Sequence, residues 1–398
     1  MKIFNNMLEK IFPFFFTIAS FIVNKVPLCL NYIVFESYPE CDGSPWMIYK
    51  EMINRGLEKK YKMIWIVSAT FNAPLNIQCL YFWEKGNPLK KIRIFWILAK
   101  AKLIVENNRF VPKLNSKTFR LHTQHGAPLK NCYAYTRNIG NVDAILSLSD
   151  NTAVLEKNMF PTPKEKIFPL GYPTNDRLFD NVDLQKKGFW NKCTKSNKTY
   201  RKIIGWLPTY RQHKNNPHHL CSGKAFPLGI PLLYSKDMFD ILDKQLKKSN
   251  ILLVIQTHPV QAENFTDFNY SNIVIVSPAL KKLYNVSTAD LMHNFDALIT
   301  DYSAAYHEYL LLDRPIALSI DDYEEYAKNP GFSLDYFDWI KGVYLKDVSD
   351  LIKFIEDVSS GIDSAKVERE SAMHRIHKYI DSHSTQRVVD FLIEQANL

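Results

Sequence analysis

Short, continuously aliphatic runs alternate along this chain with stretches of helical spacing. Asn31-Tyr32-Ile33-Val34-Phe35-Glu36-Ser37 predicts a first strand, residues 46–58 a helix and residues 61–67 a second strand. Residues 92–101 predict an apolar helix, and residues 103–105 and 144–148 further strands. A polar, Lys/Asn-rich stretch at 181–200 reads as a domain boundary. Beyond it, residues 203–208, 251–255, 273–276, 297–300 and 315–318 predict strands. Helices are expected at 238–248, 304–312 and 367–396, the last broken near Ser382-His383-Ser384. Runs that are apolar on both faces suit buried parallel strands, and their alternation with helices predicts a doubly wound α/β architecture. The expected division is an apolar leading segment at 1–30, one domain at 31–185 and a second at 200–398 that includes the C-terminal helices. No internal repeat or low-complexity tract interrupts this pattern.

Two histidines end apolar runs and are followed at once by turn residues. His125 stands in Leu121-His122-Thr123-Gln124-His125-Gly126-Ala127-Pro128-Leu129-Lys130, and His258 in Leu253-Val254-Ile255-Gln256-Thr257-His258-Pro259. Pro259 stops its strand and keeps His258 extended at the carboxyl end, where open α/β sheets bind ligands. Gly126 allows a close backbone approach, and Lys130 adds positive charge. A neutral imidazole at 125 can act as a general base. Two imidazoles from two domains facing a cleft suit this pattern; two ordinary strand-end histidines suit it as well.

Other turn segments carry polar chemistry. Ile299-Thr300-Asp301-Tyr302-Ser303-Ala304 is a strand-to-helix turn, with backbone N–H groups and hydroxyls suited to phosphate, or a plain helix cap. Asp301 reads as ordering the turn, since no second carboxylate follows at ligand spacing. Arg211, in Leu207-Pro208-Thr209-Tyr210-Arg211, is a planar fork for a phosphate or one half of a surface ion pair. Asn175 and Asp176 can bond a ligand hydroxyl or cap a turn. His213, His218 and His219 are too loosely spaced for a zinc site, and Glu324-Glu325 reads as a solvated helix face. The nucleotide-binding and nucleophile-elbow glycine motifs are absent.

Charge narrows the partners. The chain carries a formal net charge of +9, which attracts nucleic acid, anionic lipid or phosphorylated substrates. No nucleic-acid-binding signature accompanies it. The six cysteines are scattered without a C-x-x-C pair, as free thiols in a reducing compartment would be. Residues 11–23 are strongly apolar and flanked by Lys2, Lys10 and Lys25. That run is short for a bilayer span of about 20 residues. It reads as a membrane-interface helix, with a core helix as the alternative.

Taken in order, these segments resemble the CDP-glycerol glycerophosphotransferase family of teichoic acid and capsule synthesis, from about Asn31 to Leu392. Gln124 to Lys130 is similar to the family's H-G-T-P-L-K motif and Gly171 to Leu178 to G-x-P-R-N-D-x-L. Leu207 to Arg211 resembles A-P-T-W-R, Thr257-His258-Pro259 resembles K-L-H-P, and Leu298 to Ser303 matches L-I-T-D-Y-S. Ser384 to Val388 resembles A-S-E-R-V. Ala127, Thr174 and Gln256 stand where the family has threonine, arginine and lysine. The resemblance implies a GT-B fold, two Rossmann-like domains facing a cleft, with the nucleotide mainly on the second. It implies His125 and His258 as the catalytic pair, with Arg211, Thr300, Asp301, Ser303 and Arg387 on the donor side. Gly126, Lys130, Asn175 and Asp176 become cleft contacts. The expected reaction moves glycerol phosphate from CDP-glycerol to a hydroxyl of a lipid-linked or glycan acceptor and releases CMP, with no protein-bound metal or other cofactor. The expected place is peripheral, on the anionic cytoplasmic face of the membrane, with no nucleic acid partner. Alternatives are a CDP-ribitol donor, a sugar-nucleotide glycosyltransferase of the same fold, or a non-catalytic membrane- or polyanion-binding protein.

Overall fold

The computed structural model describes residues 18–68, 71–72, 76–81, 88–108, 111–124, 126, 129, 142–160, 162–209, 230–256, 270–328 and 331–398. The chain forms two compact units. One comprises Met1–His125, Thr136–Thr174 and His383–Leu398, the other Gly126–Tyr135 and Asn175–Ser382.

The first unit is built on a seven-stranded sheet of order β3-β2-β1-β4-β5-β6-β7, with every pairing parallel. Its strands are β1 (Tyr32–Glu36), β2 (Lys62–Val67), β3 (Cys79–Tyr81), β4 (Ala101–Glu106), β5 (Phe119–His122), β6 (Ala144–Leu146) and β7 (Ile167–Phe168). The central strands are apolar on both faces because helices cover both, and Ile33, Val34, Phe35, Leu103, Ile104 and Val105 are fully buried. One face packs against the helix Pro88–Ala99 and the helical residues 18–23, whose Ala19 and Val23 join Ile94 and Phe95 on a shared apolar cluster.

The second unit repeats the design with a six-stranded parallel sheet of order β10-β9-β8-β11-β12-β13. Its strands are β8 (Lys202–Trp206), β9 (Ile251–Ile255), β10 (Ile273–Ile275), β11 (Ala297–Thr300), β12 (Ile316–Ser319) and β13 (Val343–Leu345). In both sheets the order reverses beside the first strand, between β1 and β4 and between β8 and β11. That reversal opens a crevice at the strands' carboxyl ends. The GT-B class, two Rossmann-like doubly wound domains, is thereby established at the level of each sheet.

The division of the chain departs from the expected one in three places. The crossing comes at 174/175, ahead of the polar 181–200 stretch. That stretch conceals a buried anchor: Leu184, Phe189 and Trp190 are fully buried, and Asn294 fastens the segment through Val182 O (2.6 Å) and Leu184 N (3.1 Å). Gly126 and Leu129 follow a strand of the first unit yet belong to the second, where Leu129 O accepts from Ser333 N at 3.1 Å. The final helix, Ser384–Gln395, belongs to the first unit. Its buried face carries Val388, Val389 and Leu392, and Phe391 packs on Phe168 with ring centroids 4.5 Å apart.

Candidate functional site

At the exit of β5 the backbone is tightly held. The buried Glu106 carboxylate accepts from Arg120 Nε (3.0 Å) and Nη2 (2.6 Å) through one oxygen and from Val111 N (2.6 Å) through the other. Glu106 O also accepts from Thr123 N at 2.7 Å. Gln124 then takes a left-handed φ of 64°, a conformation that costs a non-glycine residue and recurs at functional sites. His125 follows this strained residue. His125 itself, Lys130, Arg211 and His258 lie outside the described residues, as do His213, His218 and His219.

Gly126 is described, and it shows where this segment goes. A Cβ built on Gly126 would lie 2.9 Å from Ala304 Cβ, so only glycine permits the approach. The residue after His125 therefore rests against the turn that follows β11.

That turn is fastened to the exit of β8 across the switch point. Thr300 Oγ1 donates to Leu207 O at 2.8 Å, and Thr209 N donates to both carboxylate oxygens of Asp301 at 2.9 Å. Tyr336 donates to Asp301 O (3.2 Å) and Ser319 Oγ to Thr300 O (3.1 Å). Thr300 and Asp301 are fully buried. Both side chains thereby order the turn, as the sequence reads for Asp301. The same bonds set the starting point of the residues leading to Arg211. Ser303 is only partly buried, and its hydroxyl accepts from Ala305 N at 3.3 Å. One turn on, the carboxyl of half-buried Glu308 has no hydrogen-bond or ionic partner among the described residues, and burial pushes it up to about 7.

Three further candidate residues are described. Asn175 and Asp176 are buried in the 3₁₀ helix Pro173–Phe179, at the start of the second unit's long segment. Arg387 lies in the first unit, where Nε donates to Leu170 O (3.2 Å) and Nη2 to Ser384 Oγ (3.0 Å). It fastens the last helix to the Gly171 segment. Gly171 itself adopts a φ of +81°, and a Cβ there would lie 2.6 Å from Ser384 Oγ.

Lys281, which no sequence motif singles out, reaches the carboxyl end of β9. Its Nζ donates to Gln256 Oε1 (3.2 Å) and Thr288 Oγ1 (2.7 Å). The departure at Gln256 was the available signal, but the distance of 25 residues hid the partner.

With this geometry in hand, comparison with known proteins is decisive for the family. The model of the CDP-Glycerol:Poly(glycerophosphate) glycerophosphotransferase family matches residues 18–394. The chain belongs to that family. It is 26% identical over 389 residues to a teichoic acid poly(glycerol phosphate) polymerase of Bacillus subtilis (strain 168), covering 90% of this chain and 48% of the relative. A teichoic acid poly(ribitol-phosphate) polymerase of Bacillus spizizenii is 23% identical over 400 residues, covering 98% and 60%. The chain thus spans about half of the first relative's length. Among solved structures, the wall teichoic acid polymerase TagF aligns with a TM-score of 0.71 at 20% identity, covering 96% of this chain and 93% of that one. A glycosyltransferase from Rickettsia africae aligns at 0.51 and 16% identity, covering 92% and 98%. These likenesses extend the fold assignment to both units.

Proposed function

We propose that this chain transfers glycerol phosphate from CDP-glycerol to a hydroxyl of a lipid-linked or glycan acceptor in teichoic acid or capsular polymer synthesis. The acceptor oxygen forms a bond to the phosphorus bearing glycerol, the bridging P–O bond breaks, and CMP leaves with its electron pair. The observation that carries this reading is the family match over residues 18–394. The close approach of Gly126, the residue after His125, to Ala304 in the turn read from sequence as a phosphate site supports it.

In this reading His125 takes the proton of the attacking hydroxyl. His258, Arg211 and Ser303 hold the donor pyrophosphate and stabilise charge on CMP, while Thr300 and Asp301 shape the turn beneath it. Phosphoryl transfer needs chiefly positioning and charge stabilisation, so the proposal includes no protein-bound metal. A CDP-ribitol donor is the second reading, favoured by the ribitol-phosphate polymerase that matches 98% of this chain.

The proposal places the enzyme peripherally on an anionic membrane. Among the described residues no helix is long and apolar enough to cross one. The helix at 18–23 exposes Phe21 (66%) and Ile22, and the helix Pro88–Ala99 exposes Ile92 and Trp96 (54%). Lys25 lies over the Phe21 ring and Lys100 over the Trp96 ring, each at 5.5 Å, so each exposed apolar ring has a basic group beside it, the pairing that interfacial binding uses.

The deciding assay incubates the protein with CDP-glycerol or CDP-ribitol and a lipid-linked acceptor, beside UDP-sugars, with and without chelator. CMP release with the CDP-polyol supports the proposal and names the polyol. Consumption of UDP-sugar alone would overturn it, and chelator-sensitive turnover would restore a metal to the mechanism.

A further inference from the structure

Gln256 follows β9 directly, and its N–H donates to Trp206 O at 3.0 Å, continuing the ladder with β8. Its side chain therefore stands at the carboxyl end of the sheet, two residues before His258. The family motif resembled here carries lysine at this position. A glutamine side chain ends one heavy atom short of a lysine. The ammonium of Lys281 sits just beyond that shortfall, 3.2 Å from Gln256 Oε1, and is held a second time by Thr288 Oγ1 at 2.7 Å. Gln256 Nε2 in turn donates to Thr288 Oγ1 at 3.2 Å, which closes a three-residue network.

The network orients a partly buried cation rather than leaving it on a mobile surface stem. Lys281 comes from the helix Pro278–Leu283, and its neighbour Lys282 is exposed. Lysines at both 256 and 281 would set two like charges within about 4 Å, an unfavourable arrangement. One lysine paired with one glutamine avoids that repulsion and keeps a single positive charge at the site.

We propose that Lys281 supplies the cation that binds the donor's phosphate groups on the β9 side, in place of a lysine at 256. The inference rests on the reading that this unit binds a nucleoside-diphosphate donor. Lys281 is thus a donor-binding residue that sequence alignment alone would not select, because its place in the chain differs while its charge lies at the same site.

The test measures dissociation constants of the full chain for CDP-glycerol, CDP-ribitol, UDP-N-acetylglucosamine and inorganic pyrophosphate, with the melting temperature of every variant. Lys281→Gln should weaken binding by about 10–100-fold, the loss of a charge-assisted hydrogen bond, while Lys282→Gln leaves it unchanged. The swap Gln256→Lys/Lys281→Gln should bring the affinity back to within about threefold of the parent. Unchanged affinity in Lys281→Gln overturns the inference. So does failure of the swap when its melting temperature equals that of the parent. Should the swap itself unfold, Lys281→Arg, which keeps the charge, must bind better than Lys281→Gln. If only UDP-N-acetylglucosamine binds, and does so through Lys281, the CDP-polyol reading fails and Lys281 keeps its role. A parent protein that binds none of the four probes overturns both.

Discussion

At the residue scale, the structure shows which polar side chains order the turns at the ends of β8 and β11. Thr300 and Asp301 commit their polar atoms to Leu207 and Thr209, so their contribution is the placement of backbone. Gly126 contributes through what it lacks, since any Cβ would strike Ala304. The base assigned to His125 makes a sharp prediction. His125→Ala should lower turnover by about 10²–10⁴-fold while leaving the donor's dissociation constant nearly intact. Steady-state turnover and donor binding measured on the same preparation decide it; near-normal turnover would remove the proposed base. The polar motifs themselves were legible in the sequence. Their division of labour was not, because a buried hydroxyl that donates to a carbonyl and one that faces solvent have the same letter.

At the level of elements, the aliphatic runs were reliable guides to β1, β2, β4, β6, β8, β9, β10, β11 and β12, because a strand buried on both faces has few other sequence solutions. β3, β7 and β13 carry no such run. Each is only two or three residues long, too short to show a period, and takes its strand conformation from pairing with a longer neighbour. The helix Val348–Ser360 lies outside the predicted elements, and its Leu351, Phe354, Ile355 and Val358 recur at helical spacing on the buried face. Residues 18–23 of the leading segment have a packed side and an exposed one. Ala19 and Val23 pack into the core cluster, while Phe21 and Ile22 remain exposed. Deleting residues 1–25 would therefore remove core packing along with the exposed apolar face. The cleaner test is Phe21→Glu with Trp96→Glu, which touches only exposed positions. This pair should abolish sedimentation with anionic liposomes and leave the melting temperature within a few degrees of the parent. If the parent never sediments, the membrane proposal falls.

For the whole molecule, buried ionisable groups set how stability responds to pH. Glu156 is fully buried, with Tyr172 donating to it at 2.9 Å, and desolvation pushes its carboxyl from 4.5 up to about 8. Between those values the folded state binds the extra proton, so stability declines as pH rises from about 4.5 to 8. His307 and His377 are buried and neutral, held down to about 3 and about 4 from 6.5 by desolvation. There the unfolded state binds the extra proton, so stability is lost as pH falls below about 6.5. Each group can change stability by at most about 1.4 kcal/mol per pH unit. Glu156→Gln should flatten the decline between pH 6.5 and 8 and leave the acid limb in place, as read by denaturant melts across pH. An unchanged alkaline slope would show that Glu156 is not its source.

The sequence by itself determined the secondary-structure alternation, the paired parallel sheets and the order of the motifs, because hydrophobic period and turn chemistry are local properties. Only the tertiary structure decided which sheet each connecting segment joined. Helical spacing in Ser384–Gln395 marks an apolar face but cannot say that Phe119 and Phe168 receive it. Polar letters at 181–200 suggested a linker, yet Phe189 and Trp190 bury themselves beneath the second sheet's neighbours Tyr284 and Phe295. Likewise, the meeting of Lys281 with Gln256 depends on two separate chain segments folding side by side, and a contact of that kind has no local sequence signature.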